Sequence, residues 1–452
     1  MQYCDVAVIG GGVLGCFAAR NLMRWDLSAL LIEAAEDVCT GITRANSAIV
    51  YAGYDNQPGS RKARMTVTGN RDFDRLCREL EVPFCRRGSL MVSTGPRGEQ
   101  VLRKKLAQGL QNGVPGLALL SGDEAREREP MLSSAITAAL YAPTTGTVNP
   151  WALGIAAFEN ARDNGCQYLP GTAVADIHRE DSGYVIDAGG ESIHCKAILN
   201  CAGLQAPRIQ ELLFPPSVRL DCDGADFLVL DALAPTPRHI LFQETEEAGK
   251  GITAVPTVEG NLLLGPSRRP LNGPLWATTR EGLAFLREAA RQLLPSVALD
   301  MVIRSFASVR PNPRHVVLRN GEYVPDGTGI GSFVIENPAP GFYSLIGIKT
   351  PGLTCADQLG QHLAGQVARF LNAPPNPDFD PHRKAIPKPD DPEIVCQCEG
   401  VTRSEILEAI RRGAATVDGV KRRVGSGMGR CQGSRCSFAI EKLLEEARHG
   451  AR

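Results

Sequence analysis

Residues 5–15, DVAVIGGGVLG, leave this chain few folds to choose from. A short apolar run at 5–9 passes directly into Gly10-x-Gly12-x-x-Gly15, and residues 16–24 then have helical character. A second apolar run at 29–32 ends in Glu33. Strand, glycine turn, helix, strand and acid, in that order, are what a dinucleotide-binding βαβ unit requires. Gly10 permits the tight turn, Gly12 lets a pyrophosphate approach the backbone, and Gly15 allows close packing of helix on strand. The free N–H groups at the helix start favour an anion, and Glu33 can accept hydrogen bonds from a ribose. The full context favours nucleotide binding over a glycine-rich structural turn, but the motif does not separate NAD from FAD. The segment after Glu33 bears on that choice. A mononucleotide-binding unit normally continues with a helix and a third strand. Here a long polar loop rich in Thr, Ser, Asn and Gly follows, which suits the wrapping of an extended FAD.

At 452 residues the chain fits two large domains and a small appendage. With 43% hydrophobic and 22% charged residues it is globular, and a net charge of −1 gives no general pull toward nucleic acid. No apolar run approaches the roughly 18 residues that span a bilayer. The first residues lack a basic n-region and run straight into a strand, so no signal peptide is expected. The expectation is a cytoplasmic chain that meets a membrane only through a partner subunit.

Fourteen cysteines in such a chain are expected to stay reduced or to bind metal. Four of them, Cys396, Cys398, Cys431 and Cys436, form C-x-C, a gap of 32 residues, then C-x4-C. Two tight thiol pairs suit a tetrahedral sulfur site, a [2Fe–2S] cluster or zinc. The other ten lack such spacing and read as small buried hydrophobes. Residues 374–393 hold seven prolines, which no stable helix can cross. They read as an extended surface tether, making the tail a separate unit. Thr402-x-x-Glu405 is a capping box that starts a helix over 403–412. Further helices are expected at 417–423 and 437–448, and the glycine-rich GSGMGRCQGSRC can turn N–H groups toward sulfur.

Between these ends, residues 60–82 place Met65, Val67, Phe73, Leu76 and Leu80 on one helical face. VPFCRRGSLMVS reads as a strand pair, and 97–128 as a charged, solvated helix. Residues 173–177, YVIDA and SIHCKAILNCAG read as strands. Strand-like runs recur through 218–345, interrupted by one helical segment at 278–294. The fold class expected is α/β: a Rossmann-like FAD-binding domain (about 1–80, 145–215 and 330–372) with an inserted antiparallel-sheet substrate domain (about 81–144 and 216–329). A linker at 373–393 and a small helical iron–sulfur module at 394–452 complete it.

Several segments resemble one family. TGITRANSAIVYAGYDNQPGSRKARMTVTGN, TGTVNPWALGIAAFENARDNG, AILNCAGLQAP, GKGITAVPTVEGNLLLGP and FYSLIGIKTPGLTCA resemble the D-amino-acid-oxidase-like FAD enzymes. The nearest branch is that of glycerol-3-phosphate dehydrogenase and L-2-hydroxyglutarate oxidase. The resemblance spans about residues 3–372. The tail, with MGRCQGSRC and both cysteine pairs, resembles the bacterioferritin-associated-ferredoxin-like [2Fe–2S] domain, also found at the end of anaerobic glycerol-3-phosphate dehydrogenase large subunits. The resemblance implies FAD contacts from Thr43, Asn46 and Ser47, from Val174 at the adenine, from Gly203 closing over the cofactor, and from Gly352, Leu353 and Thr354. It places Arg310 beside the substrate anion, where a guanidinium can hold phosphate or carboxylate in a fork. It places Tyr51 and Lys349 near the isoalloxazine as catalytic-pocket residues. Tyr51 stands where relatives often carry His, and Lys349 favours an anionic substrate. His239 and His315 are lone histidines, better read as packing or surface residues.

The function implied is an FAD-dependent dehydrogenase of a small anionic hydroxy substrate, glycerol 3-phosphate or a 2-hydroxy acid. Electrons would pass through the cluster to a redox partner subunit. An amine or amino-acid (imino-acid or opine) dehydrogenase subunit is the alternative enzyme. An iron–sulfur sensor or scaffold with structural FAD is the non-enzyme alternative.

Overall fold

The structure, a computed structural model, describes residues 2–245, 249–271, 275–384, 386 and 391–450. Its first layer grows from the fingerprint. The strands Gln2–Ile9 and Ala29–Ile32 lie parallel, flanked by Glu191–Asn200 on one side and Gln167–Leu169 on the other. Residues 6–9 and 29–32 are buried throughout, because helices cover one face of the sheet and the strands Val174–Glu180 and Gly183–Ala188, with Ile209, cover the other, so alternation has no meaning there. The edge of Glu191–Asn200 is shared. Its first half pairs antiparallel with Gly183–Ala188 and its end parallel with Phe342–Ile346. The helix Val13–Leu22 packs between Pro150–Asp163 and Ala356–Leu371 over a core containing Phe17, Leu22, Phe158, Leu359 and Leu363.

The second layer is a ten-stranded sheet built from two stretches of chain, 89–142 and 218–329. Its spine is the long pair Val218–Leu230 and Val302–Arg319. The helix Arg280–Leu293 backs it through Leu286, Ala289, Ala290 and Leu293. The sheet is antiparallel except where Ile240–Thr245 runs parallel to Ser89–Ser93.

Three expectations change. The 97–128 segment is a helix Pro96–Gln111, a strand Ala118–Ser121 and a helix Gly122–Arg128. The intervening NGVPG holds Gly113 and Gly116 at positive φ and ends the first helix. The strand pair in VPFCRRGSLMVS separates: Phe84–Cys85 joins a three-stranded sheet with Ile49–Val50 and Gly146–Val148, while Ser89–Ser93 enters the large sheet. Nor is the C-terminal module free-standing. It has a small core of Ile406, Ala409, Val420, Ile440, Leu443 and Leu444, and its capping box forms as expected. Buried ions nevertheless fasten it to the rest. Arg423, wholly buried, grips both oxygens of Asp37 at 2.7 and 2.9 Å, and Arg422 adds a third contact at 2.9 Å. Glu159 gathers Arg383, Arg412 and Arg423. The described start of the proline-rich segment is pinned along the first domain through Asp26 N–H to Pro374 O and Asn376 N–H to Arg24 O.

Candidate functional site: a flavin cradle, a cationic pocket and a thiol cluster

The three fingerprint glycines do different work. Gly10 has φ +101°, and a Cβ there would lie 2.6 Å from Cys201 O. A Cβ on Gly15 would lie 1.8 Å from Gly10 O, so strand and helix could not close. At Gly12 a Cβ would meet only Thr43 Oγ1, at 3.5 Å. Nothing in the protein requires a glycine at that position, so the space beside it suits a ligand. The helix Val13–Leu22 starts without a side-chain cap, and its Val13 N–H donates to Thr43 Oγ1 at 3.0 Å. Glu33 accepts from Gly11 N–H at 2.5 Å and Ala35 N–H at 2.8 Å. Those bonds hold it still and leave lone pairs for a ribose. Thr172 N–H donates to Glu33 O, which draws Val174 toward this acid. Gly203 has φ +59° and open space above it. These features fit FAD.

The polar loop braces itself. Asn46 donates to Thr43 O and accepts from Ala48 N–H, both at 2.8 Å, while Ser308 Oγ donates to Ala45 O and ties the loop to the large sheet. Ser47 hydrogen-bonds the Tyr51 hydroxyl. Tyr51 N–H donates to Thr354 Oγ1 at 3.0 Å. The turn carrying Gly352 and Leu353 closes by Gly352 N–H to Lys349 O at 2.8 Å. Loop and turn, about 300 residues apart in sequence, therefore meet at Tyr51.

Arg310, on the strand Val302–Arg319, faces the same place: its charge acts on Tyr51, Lys349 and Lys62. Burial, opposed by Ser47 and Arg310, raises the Tyr51 phenol above its ordinary range. Burial and then Arg310 lower the Lys349 ammonium, which donates to Asn312 Oδ1 at 2.8 Å. Lys62 is lowered to about 8 by burial, then by Lys349 and Arg310. It opens the helix Arg61–Glu79 and lies 5.6 Å from the Phe333 ring. Three cations thus repel one another, opposed by Asp55 and Asp223, and Arg310 acts on the phenol as well. His239 stands apart, 3.4 Å from the buried Glu129, and His315 is exposed.

Lys62 is absent from the residues expected from sequence, where its segment reads as core helix. A signal existed. The first helical turn holds Arg61, Lys62 and Arg64 and no acid, against the preference set by the helix dipole.

In the C-terminal module the four thiols come together as two pairs, Cys396 with Cys436 and Cys398 with Cys431, with electrostatic coupling between the pairs. Among the described residues no three His, Cys, Asp or Glu converge on a single-ion site. Two pairs rather than one point suit the two irons of a [2Fe–2S] cluster, each taking two thiolates, better than one zinc. Cys431 is lowered to about 7 by Cys398 and by the N–H groups of Gly433 and Arg435. Cys436 is buried and Cys398 exposed, so one edge of the site reaches the surface.

The family described as FAD dependent oxidoreductase (DAO) matches residues 5–366. The chain belongs to that family. The BFD-like [2Fe-2S] binding domain matches residues 394–446 of this FAD-dependent oxidoreductase. A glycerol 3-phosphate dehydrogenase of Caloramator mitchellensis is 38% identical over 465 residues, covering 97% of this chain and 93% of that protein. A mitochondrial L-2-hydroxyglutarate dehydrogenase of Arabidopsis thaliana is 27% identical over 417 residues, covering 81% and 83%. The fold is shared with FAD-bound L-alpha-glycerophosphate oxidase from Mycoplasma pneumoniae, at TM-score 0.75 and 23% identity over 84% of this chain and 98% of that one. The oxidoreductase therefore binds FAD and carries a [2Fe–2S] domain. Among the described residues no helix is long and apolar enough to cross a membrane.

Proposed function

We propose that this oxidoreductase is a dehydrogenase of a small hydroxy substrate with a doubly charged anionic head, glycerol 3-phosphate first among them. The observation that carries the reading is the meeting of Arg310, Lys349 and Lys62 beside Tyr51. Their mutual repulsion is relieved by an anion. The near full-length likeness to a glycerol 3-phosphate dehydrogenase supports the same class. Arg310 forks onto the phosphate, because a guanidinium presents paired donors. Lys62 adds charge from the opposite element. Tyr51, kept a neutral phenol by burial, hydrogen-bonds the substrate hydroxyl and orients it. Lys349, whose ammonium is disfavoured by burial and Arg310, takes the hydroxyl proton. Bound FAD supplies the acceptor for the hydride from the neighbouring carbon. A cluster held by Cys396, Cys398, Cys431 and Cys436 would supply one-electron transfer toward a redox partner subunit at the exposed Cys398 edge.

The test is anaerobic flavin bleaching against glycerol 3-phosphate, 2-hydroxy acids and amino acids. Rapid bleaching by glycerol 3-phosphate alone is expected. Bleaching only by a 2-hydroxy acid moves the substrate within the anionic class, and bleaching only by an amino acid overturns the reading. Arg310→Ala should raise KM with the flavin spectrum intact, by about 2–5 kcal/mol of lost binding, and Arg310→Lys should recover part of it.

A further inference from the structure

One hydroxyl in the C-terminal module has no use in the protein as it stands. Ser426 lies between Gly425 and Gly427, just beyond the helix Val417–Val424. Its residue is 1% exposed, and its Oγ finds no partner among the described residues. Buried polar groups are nearly always hydrogen-bonded, so such an orphan calls for an explanation. The Ser437 hydroxyl of the same module, by contrast, is engaged: its Oγ donates to Gly433 O at 2.7 Å.

The adjacent Gly427 fixes where this loop runs. A Cβ on Gly427 would lie 3.9 Å from Cys436 Sγ and 3.3 Å from the Cα of Gly433. Gly433 N–H in turn acts on the Cys431 thiol. The loop therefore runs beside the Cys436 thiol, and Ser426 is the buried hydroxyl on it.

We propose that Ser426 donates an O–H···S hydrogen bond to a sulfur of the bound [2Fe–2S] cluster on its Cys436 side, and that this bond raises the cluster's reduction potential. Reduction adds one electron to the cluster, and the negative charge on its sulfurs grows. No ligand is exchanged and no proton leaves Ser426. A donor aimed at sulfur stabilises the more negative state more strongly, and hydrogen bonds to sulfur are among the factors that set cluster potentials. A raised potential makes the cluster a better one-electron acceptor. Ser426 is a positioning and tuning residue; the substrate pocket does not contain it.

The experiment uses the full-length protein holding FAD and cluster. The cluster potential is measured by anaerobic redox titration, followed by electron paramagnetic resonance of the reduced cluster. Ser426→Ala should lower the one-electron equilibrium about tenfold, or about 59 mV, with two irons per chain retained. Ser426→Thr should restore it. An unchanged potential in iron-replete Ser426→Ala overturns the proposal. Should the alanine variant lose its cluster, the near-isosteric Ser426→Thr and Ser426→Val carry the test. Thr above Val supports the hydrogen bond, and equal potentials reject it. The reading is made on the cluster itself, so it stands whether or not the cluster relays electrons from the flavin.

Discussion

At the scale of single residues, Gly12 and Gly15 look alike in the motif and differ in the structure. Gly15 is needed by the fold, since its Cβ would collide with Gly10 O, whereas Gly12 faces free space. Gly12→Val should therefore give a folded protein that lacks the flavin bands, keeps the cluster absorbance and matches the wild type in circular dichroism. Gly15→Ala should cost about 1–3 kcal/mol or more by overpacking and lower Tm even before FAD is considered. Equal FAD content in Gly12→Val and wild type would place the pyrophosphate elsewhere. Lys62 leads to a pH prediction. Its amine, lowered to about 8, is charged in the free protein below that pH and neutral above it. The anion site therefore loses a charge as pH rises through about 8, and kcat/KM should fall there, since that ratio reports free-enzyme groups. Lys62→Arg should push the falling limb to higher pH, and Lys62→Ala should remove it while raising KM at neutral pH. A limb at about 8 that survives in Lys62→Ala assigns the titration to another group. Stability runs the other way. An unfolded lysine binds its proton more tightly than the folded one, so the penalty for charging buried Lys62 is present below pH 8 and fades above it.

Among the elements, the loop after Glu33 ties the cofactor site to the iron–sulfur module. Asp37, four residues past Glu33, is 2% exposed and is held by Arg422 and Arg423. Burial works to raise its carboxyl, but the Arg423 hydrogen bonds and the two guanidinium charges prevail and leave it below the usual range. Its folded pKa is depressed, so its stabilising contribution is present above the unfolded value and is lost as pH falls through the folded one. Docking of the module should hold through neutral pH and weaken only in strong acid. Asp37→Asn leaves Arg423 buried with one charge fewer, a loss of about 3–5 kcal/mol. Calorimetry should then show a separate, lower transition for the module at pH 7, and the gap from wild type should narrow in acid. A single unaltered transition in Asp37→Asn at pH 7 would mean that other contacts hold the module.

For the whole molecule, the module is clamped on two sides. Asp37 and Glu159 hold it to the flavin domain, while Asp231 binds Arg430 at 2.9 Å and Arg304 binds Gln432 at 3.1 Å from the large sheet. The cysteine loop itself makes the second set of contacts. Cys431→Ser with Cys436→Ser should remove iron and leave FAD bound, because neither thiol lies in the FAD-side core or in the ion pairs that dock the module. Substrate should still bleach the flavin, and reoxidation by a one-electron protein acceptor should slow. Stopped-flow measurement of both half-reactions decides. Reoxidation at the wild-type rate would take the cluster off the electron path. Metal analysis of the wild type should give two irons per chain, and one zinc without iron would remove the cluster from the scheme altogether.

What could be read from the sequence alone was local or periodic. The fingerprint, the Thr402–Glu405 capping box and the cysteine pairs are short-range patterns whose meaning lies in spacing, and each is present as a formed element. The fully apolar strands at 6–9 and 29–32 announce a sheet covered on both faces. Other features needed the fold. NGVPG broke a helix that charge patterning alone would have continued. Lys62 became part of the pocket only when helix, strand and turn brought it to Arg310 and Lys349, since mutual repulsion is a property of distance. Proline content correctly excluded helix from the linker but could not reveal its anchoring. That anchoring depends on Arg383, Arg412, Arg422 and Arg423 meeting two buried carboxylates more than 200 residues away, and no spacing rule records such a meeting.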